Sequence, residues 1–150
     1  MVINKYIASF WGIGYLGKGG GTIAALVTML LWYWGFNPVF QNLAMHLFIC
    51  FIICIIGIYS SYKVEFIWGH DSKRIVIDEV FGMCISLLFV PHHFWMGFTA
   101  LLLFRIFDIW KPLYIKKMEQ FKGGFGVMAD DFLAGVYTLF CMQILIKAIS

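Results

Sequence analysis

Apolar side chains dominate four stretches of the chain: Thr22 to Phe36, Phe40 to Tyr62, Ile75 to Phe107 and Met128 to Ile149. Each reads as membrane-spanning helix. The first is short, but Gly19 to Gly21 precede it and can extend it. The second has the roughly 20 residues needed to cross a hydrocarbon core. The third is too long for one span and carries Pro91-His92-His93 in its middle. Proline breaks a helix and histidines favour an interface, so this stretch divides into Ile75–Val90 and Phe94–Phe107. The pattern predicts an all-α, polytopic membrane helical bundle of about five transmembrane helices, forming one membrane-embedded domain over residues 1–150. Ahead of it, Lys5 and a short apolar stretch to Leu16, broken by Gly12 and Gly14, predict an N-terminal interfacial or re-entrant helix. No small-residue cleavage site follows, which argues against a signal peptide.

Composition supports the bilayer. The chain is 62% hydrophobic and 13% charged, against about 45–50% and about 25% in soluble domains. A soluble protein this apolar would expose large adhesive patches. The net charge of +3 is small, and the basic residues flank apolar spans, so nucleic-acid binding is not expected. The cysteines Cys50, Cys54, Cys84 and Cys141 lie in apolar runs without CxxC spacing and read as small hydrophobes. Trp32, Trp34, Trp68, Trp95 and Trp110 fall near span ends, as an interfacial aromatic belt would place them.

Charge along the chain also orients it. Lys5 and Lys18 precede the first span; Lys63, Lys73 and Arg74 follow the second; Arg105, near the end of the fourth, and Lys111, Lys116, Lys117 and Lys122 after it form the next basic group; Lys147 at the far end is the exception to the alternation. The intervening connections, Gly35–Asn42 and Pro91–His93, have no lysine or arginine. By the positive-inside rule the basic loops, and with them the N-terminus, face the cytoplasm. All eight acids, Glu65, Asp71, Asp78, Glu79, Asp108, Glu119, Asp130 and Asp131, fall on that same side.

Three segments join acids to apolar neighbours: Ile77-Asp78-Glu79-Val80-Phe81-Gly82, Phe104-Arg105-Ile106-Phe107-Asp108-Ile109-Trp110-Lys111-Pro112, and Gly123-Gly124-Phe125-Gly126-Val127-Met128-Ala129-Asp130-Asp131 followed by Ala134-Gly135. An ionised carboxylate at membrane depth costs on the order of 2.5–3.5 kcal/mol, and persists if paired, metal-bound or in a wet cavity. The adjacent pairs Asp78-Glu79 and Asp130-Asp131 repel unless a cation neutralises them. Mg²⁺ suits them, since it takes carboxylate oxygens together with water and phosphate. Gly82, three after Glu79, and Gly135, four after Asp131, allow helices to approach closely. Arg105 and Asp108 share a helical face, so a structural salt bridge is the competing reading for that pair. Gly17-Lys18-Gly19-Gly20-Gly21-Thr22 exposes backbone N–H groups at a helix start and can cradle a phosphate, though it lacks the P-loop order. His46 reads as a packing residue, and His92 and His93 lie away from the acids.

In order and content these motifs resemble the phosphatidylglycerophosphatase A family of bacterial inner-membrane lipid phosphatases. Two departures stand out: Gly20-Gly21-Thr22 where the family has Pro-Gly-Thr, and Leu113-Tyr114-Ile115 where a second proline is common. Neither touches a carboxylate. The resemblance implies Mg²⁺-dependent conversion of phosphatidylglycerophosphate to phosphatidylglycerol and inorganic phosphate in phospholipid biosynthesis, at an active site facing the cytoplasm. On this reading Asp78, Glu79, Asp108, Asp130 and Asp131 form the catalytic metal cluster, and Arg105, Lys111, Lys18 and Thr22 bind the phospholipid substrate.

The competing class is an ion- or proton-coupled transporter, which also uses intramembrane carboxylates. A transporter places acids near the midplane or on both sides, whereas these gather on one. The spaced aspartate pattern of CDP-alcohol phosphotransferases and the arginine-histidine motifs of metal-independent lipid phosphatases are absent.

Overall fold

The computed structural model describes every residue except Phe36, His70, Asp71, Glu119, Lys122 and Ser150. Asp71, Glu119 and Lys122, assigned above to the basic side, therefore lie outside the described residues, as does Phe36 at the end of the first predicted span. Among the described residues all regular structure is helical, as the apolar runs predict. Helix α1 spans Val2–Ala8 and leads through a 3₁₀ stretch, Ile13–Gly19, into α2, Gly20–Leu30. The end of α2 widens into a π-helical turn, Leu31–Gly35, and α3 covers Asn37–Gln41. There follow α4 (Leu43–Trp68), α5 (Ile77–Ser86), α6 (Phe94–Trp110), α7 (Ile115–Met118) and α8 (Gly124–Ile149).

Local chemistry sets the boundaries. Asn42 caps α4 by accepting from the Met45 N–H at 3.2 Å. Gly69, at φ 85°, ends it in a conformation that glycine adopts freely. α6 stops at Lys111, which turns left-handed at φ 48°, with Pro112 next.

Among the described residues two helices, α4 and α8, are long and apolar enough to cross a membrane. Each has 26 residues, roughly 39 Å of helix. Only 22% of the most apolar stretch of each is buried. A core helix of a soluble protein is mostly buried, whereas these turn Phe48, Phe51, Ile55, Phe140 and Ile144 outward. The other predicted spans are shorter. α5 has 10 residues, roughly 15 Å, because the chain leaves the helix at Leu87 and turns through Phe89 at φ 58° before Pro91.

The connections sort by charge onto the two ends of the bundle. One end gathers Trp32, Phe40, Gln41, His46, Val90 and His92 around a cavity of about 280 Å³. It therefore joins the two connections that lack lysine and arginine. Trp32 corrects the aromatic-belt expectation: it is 2% exposed and packs beneath Gly97, with its carbonyl 2.8 Å from His92 Nε2. Trp34, Trp95 and Trp110 are exposed as expected. His46 is buried and bonds the Cys84 carbonyl at 3.0 Å, a packing role as read from the sequence.

The glycine spacing has its expected consequence where α5 meets α8. A Cβ on Gly135 would lie 2.5 Å from the Gly82 carbonyl oxygen, and one on Gly82 would lie 2.6 Å from the Asp131 carbonyl oxygen. Both distances are shorter than side chains tolerate. The two backbones therefore touch one turn away from Glu79 and Asp131, and this contact carries the carboxylates of both helices to a common point.

Candidate active site

At the basic end lies a cavity of about 240 Å³, lined by residues from five separate parts of the chain. The 3₁₀ stretch and α2 supply Gly17, Lys18 and Gly21; the connection before α5 supplies Ser72, Lys73 and Ile75. Asp78 and Glu79 come from the first turn of α5, Arg105, Asp108 and Lys111 from the end of α6, and Asp130 and Asp131 from the second turn of α8.

The acids are sheltered. Asp78 is 9% exposed, Asp130 7% and Asp131 3%. Oxygens of Asp78, Glu79 and Asp131 all lie within 4.8 Å of one another. Asp78 accepts from the Glu79 backbone N–H at 3.1 Å, which helps hold the first turn of α5. Arg105 donates to Asp108 one turn along α6 and also lies 3.8 Å from Glu79. Lys111 donates to Asp130 across the α6–α8 gap at 2.8 Å. The salt-bridge reading of Arg105 and Asp108 is thus correct as geometry, and the pair still faces the cavity.

Three buried polar atoms here have no hydrogen-bond partner among the described residues: Glu79 Oε2, Asp131 Oδ2 and Arg105 Nε. A buried polar atom left unpaired costs about 1–3 kcal/mol, so such atoms concentrated in one cavity point to a ligand. The donor set fits a hard divalent cation: three carboxylates converge, and two of them carry an uncommitted oxygen. Asp78, Glu79 and Asp131 are the residues able to hold it, with Asp108 and Asp130 beside them in the same wall.

Eight of the nine residues proposed from sequence line this one cavity. The exception is Thr22, which is exposed and lies outside its wall. Gly21 takes that place instead: a Cβ there would displace the Glu79 carboxylate from its present position, so glycine lets the first turn of α2 close over the acid. Ser72 and Lys73 also line the cavity, and the sequence pattern marks neither as a site residue. Lys73 reads from sequence as a loop charge, and nothing in its spacing to the acids distinguishes it from Arg74.

A helical bundle with a recessed carboxylate cluster faced by arginine and lysine is suited to processing a phosphate group, with acids to hold a cation and bases to meet the anion. The comparisons with known proteins narrow that class. The chain belongs to the phosphatidylglycerophosphatase A family, whose model matches residues 6–146. Over 92% of its length it is 39% identical to a Bacteroides thetaiotaomicron protein named provisionally as a phosphatidylinositol-3-phosphatase, covering 90% of that protein. It is 37% identical to the Escherichia coli phosphatidylglycerophosphatase A over 77% of this chain and 67% of that one. The Haemophilus influenzae phosphatidylglycerophosphatase A is 39% identical over 61% of this chain and 56% of its own. No solved structure matches. The chain is accordingly a phosphatase, a phosphoric monoester hydrolase, and transport of ions or protons is not favoured.

Proposed function

We propose that this protein hydrolyses phosphatidylglycerophosphate to phosphatidylglycerol and inorganic phosphate, as a multi-pass enzyme of a bacterial inner membrane with its site toward the cytoplasm. The observation that carries the proposal is the convergence of all three acid-bearing motifs on one cavity in a chain of this family. The outward apolar faces of α4 and α8 support residence in a bilayer. The chain passes between the two ends five times, through α2, α4, α5, α6 and α8, and we take all five as membrane crossings. Separation of the basic and non-basic connections onto opposite ends supports the cytoplasmic orientation.

Charge supports a role for Mg²⁺. Among the described residues, five carboxylates face four basic side chains across the cavity, a formal charge of −1 with all ionised. An anionic phosphomonoester would not be drawn into that field unaided. Asp78, Glu79 and Asp131 would hold the ion, with Asp108 and Asp130 completing the acidic wall. When bound, Mg²⁺ supplies neutralisation of phosphate charge and a lowered pKa for a coordinated water. Arg105 and Lys111 are held by Asp108 and Asp130 with their cationic heads at the cavity, positioned to bind phosphate oxygens. Lys18 enters the same cavity from the glycine-rich turn. In the overall reaction the bond from phosphorus to the glycerol oxygen breaks, that oxygen gains a proton, and water supplies the fourth oxygen of the released phosphate.

The name of the Bacteroides thetaiotaomicron relative supports a second substrate of the same class, phosphatidylinositol 3-phosphate. The deciding assay is phosphate release by the purified protein from both lipids, from phosphatidate and from a water-soluble phosphomonoester. Phosphatidylglycerophosphate should be turned over fastest and the soluble ester slowest. Equal turnover of lipid and soluble ester would overturn the lipid assignment.

A further inference from the structure

The cations of the cavity differ in how they are held. Arg105 is bound to Asp108 and close to Glu79, and Lys111 is bound to Asp130, so both are fixed beside the carboxylate cluster. Lys18 and Lys73 also line the cavity, yet neither makes an ion pair with a carboxylate among the described residues. They reach it from two different segments, the turn before α2 and the connection before α5. Gly17 bends the first of these at φ 80°, ψ −139°, a conformation that a side chain would strain, and so delivers Lys18 to the rim. Ser72, beside Lys73, accepts weakly from the Arg74 N–H at 3.5 Å, which leaves its own O–H to donate.

We infer that Lys18, Lys73 and Ser72 form a second anion seat, separate from the carboxylate cluster, that reads a phosphodiester in the substrate's headgroup. The inference rests on the lipid-phosphatase reading given above. Its chemistry follows from the substrate class. Phosphatidylglycerophosphate carries a phosphomonoester and a phosphodiester separated by a glycerol, and the two phosphates repel each other. With the monoester at Arg105, Lys111 and the acids, the diester needs its own cations a short way toward the rim. Phosphatidate has a monoester and no diester, so it leaves this seat empty. The seat therefore selects lipid phosphomonoesters that bear a second phosphate and disfavours phosphatidate. Its contribution should be modest, because both lysines are exposed and water screens them.

The test compares kcat/KM for phosphatidylglycerophosphate and phosphatidate of matched acyl chains, in mixed detergent micelles. The proteins are full-length wild type, Lys73→Ala, Lys73→Arg and Lys18→Ala. The measured quantity is the preference for the first lipid over the second. Lys73→Ala and Lys18→Ala should each lower that preference about fivefold, and Lys73→Arg, which keeps the charge, should restore most of it. An unchanged preference, with both lipids affected equally, would overturn the seat. So would failure of Lys73→Arg to exceed Lys73→Ala. A wild-type protein that releases phosphate from no lipid would instead remove the underlying lipid-phosphatase reading, an outcome distinct from either.

Discussion

Replacing Asp131 by asparagine distinguishes a cation ligand from a packing residue. Asp131 is 3% exposed, its Oδ2 has no hydrogen-bond partner, and it lies within 4.8 Å of oxygens of both Asp78 and Glu79. Two ionised carboxylates at that separation repel by about 3.5 kcal/mol at an effective dielectric of about 20. Solvent at the cavity mouth, local relaxation and proton uptake by the crowded acids all reduce this, so removing one acid should stabilise the metal-free protein by at most about 1–2 kcal/mol. For a chain of this size that corresponds to roughly 2–8 °C in unfolding midpoint. Saturating Mg²⁺ should reverse the order. An ion at one hundred times its Kd adds about 2.7 kcal/mol to whichever protein binds it, and the asparagine variant binds it more weakly.

The assay is thermal unfolding in detergent with EDTA and again with excess Mg²⁺, beside phosphate release against Mg²⁺ concentration. Expected are a higher midpoint for Asp131→Asn in EDTA, a lower one in Mg²⁺, and activity reduced by about a hundredfold or more, partly recovered at high Mg²⁺. Loss of an outer-shell partner alone typically costs 10- to 100-fold. Asp130→Asn should behave differently, because Asp130 holds Lys111 at 2.8 Å. It weakens that pair, so it should lose stability in EDTA where Asp131→Asn gains it. Normal activity per folded Asp131→Asn molecule, with an unchanged Mg²⁺ dependence, would refute the ligand assignment.

Other consequences can be checked separately. Cysteines placed at Gln41 and His93 should label from outside the cell and one at Lys117 should not; external labelling at Lys117 would invert the orientation. Gly82→Val should cost about 1–3 kcal/mol of stability through overpacking and lower activity further than that, since a shift of about 1 Å at a reacting centre can cost about a hundredfold; equal effects on folding and turnover would argue against a positioning role for the α5–α8 contact. Thr22→Ala, outside the cavity wall, should reduce kcat/KM far less than Lys111→Ala; the reverse order would return Thr22 to the site.

The part of the site legible in the sequence was the part with period and punctuation. Carboxylate pairs followed by glycine at helical spacing marked α5 and α8, and the Arg105, Asp108, Lys111 spacing marked the end of α6. Loop charge asymmetry marked which ends lie together. Residues whose role depends on where a loop folds back were not legible. Lys73 sits in a basic run in which every member has the same local signal, and only the path from α4 to α5 brings it, and not Arg74, to the cavity. Thr22 failed for the complementary reason. It follows the glycine-rich turn directly, but the first turn of α2 presents Gly21 to Glu79 and leaves Thr22 outside. The short α5 was also hidden, because Leu87-Leu88-Phe89-Val90 is as apolar as a helix would be, yet the chain leaves the helix at Leu87 and turns left-handed at Phe89.

The depth of the site follows from the same contact that builds it. Asp130 and Asp131 stand six and seven residues after Gly124, about 10 Å along α8 from its start. Asp78 and Glu79 instead open α5, which has 10 residues against 26 in α8. Crossing α5 against α8 at Gly82 and Gly135 therefore requires the start of α5 to be recessed to the level of the second turn of α8. That recess forms a cavity below the ends of the longer helices and roofed by the turn at Gly17 to Gly21. A soluble phosphate ester gains little from such depth, since it must leave bulk water to enter. In the proposed membrane placement a lipid headgroup anchored by acyl chains would lie near that level, so part of the cost of reaching the acids would be met by where the lipid resides. In that placement, recession of the carboxylates, imposed by two glycines, would favour the lipid over the soluble ester before any headgroup contact is made.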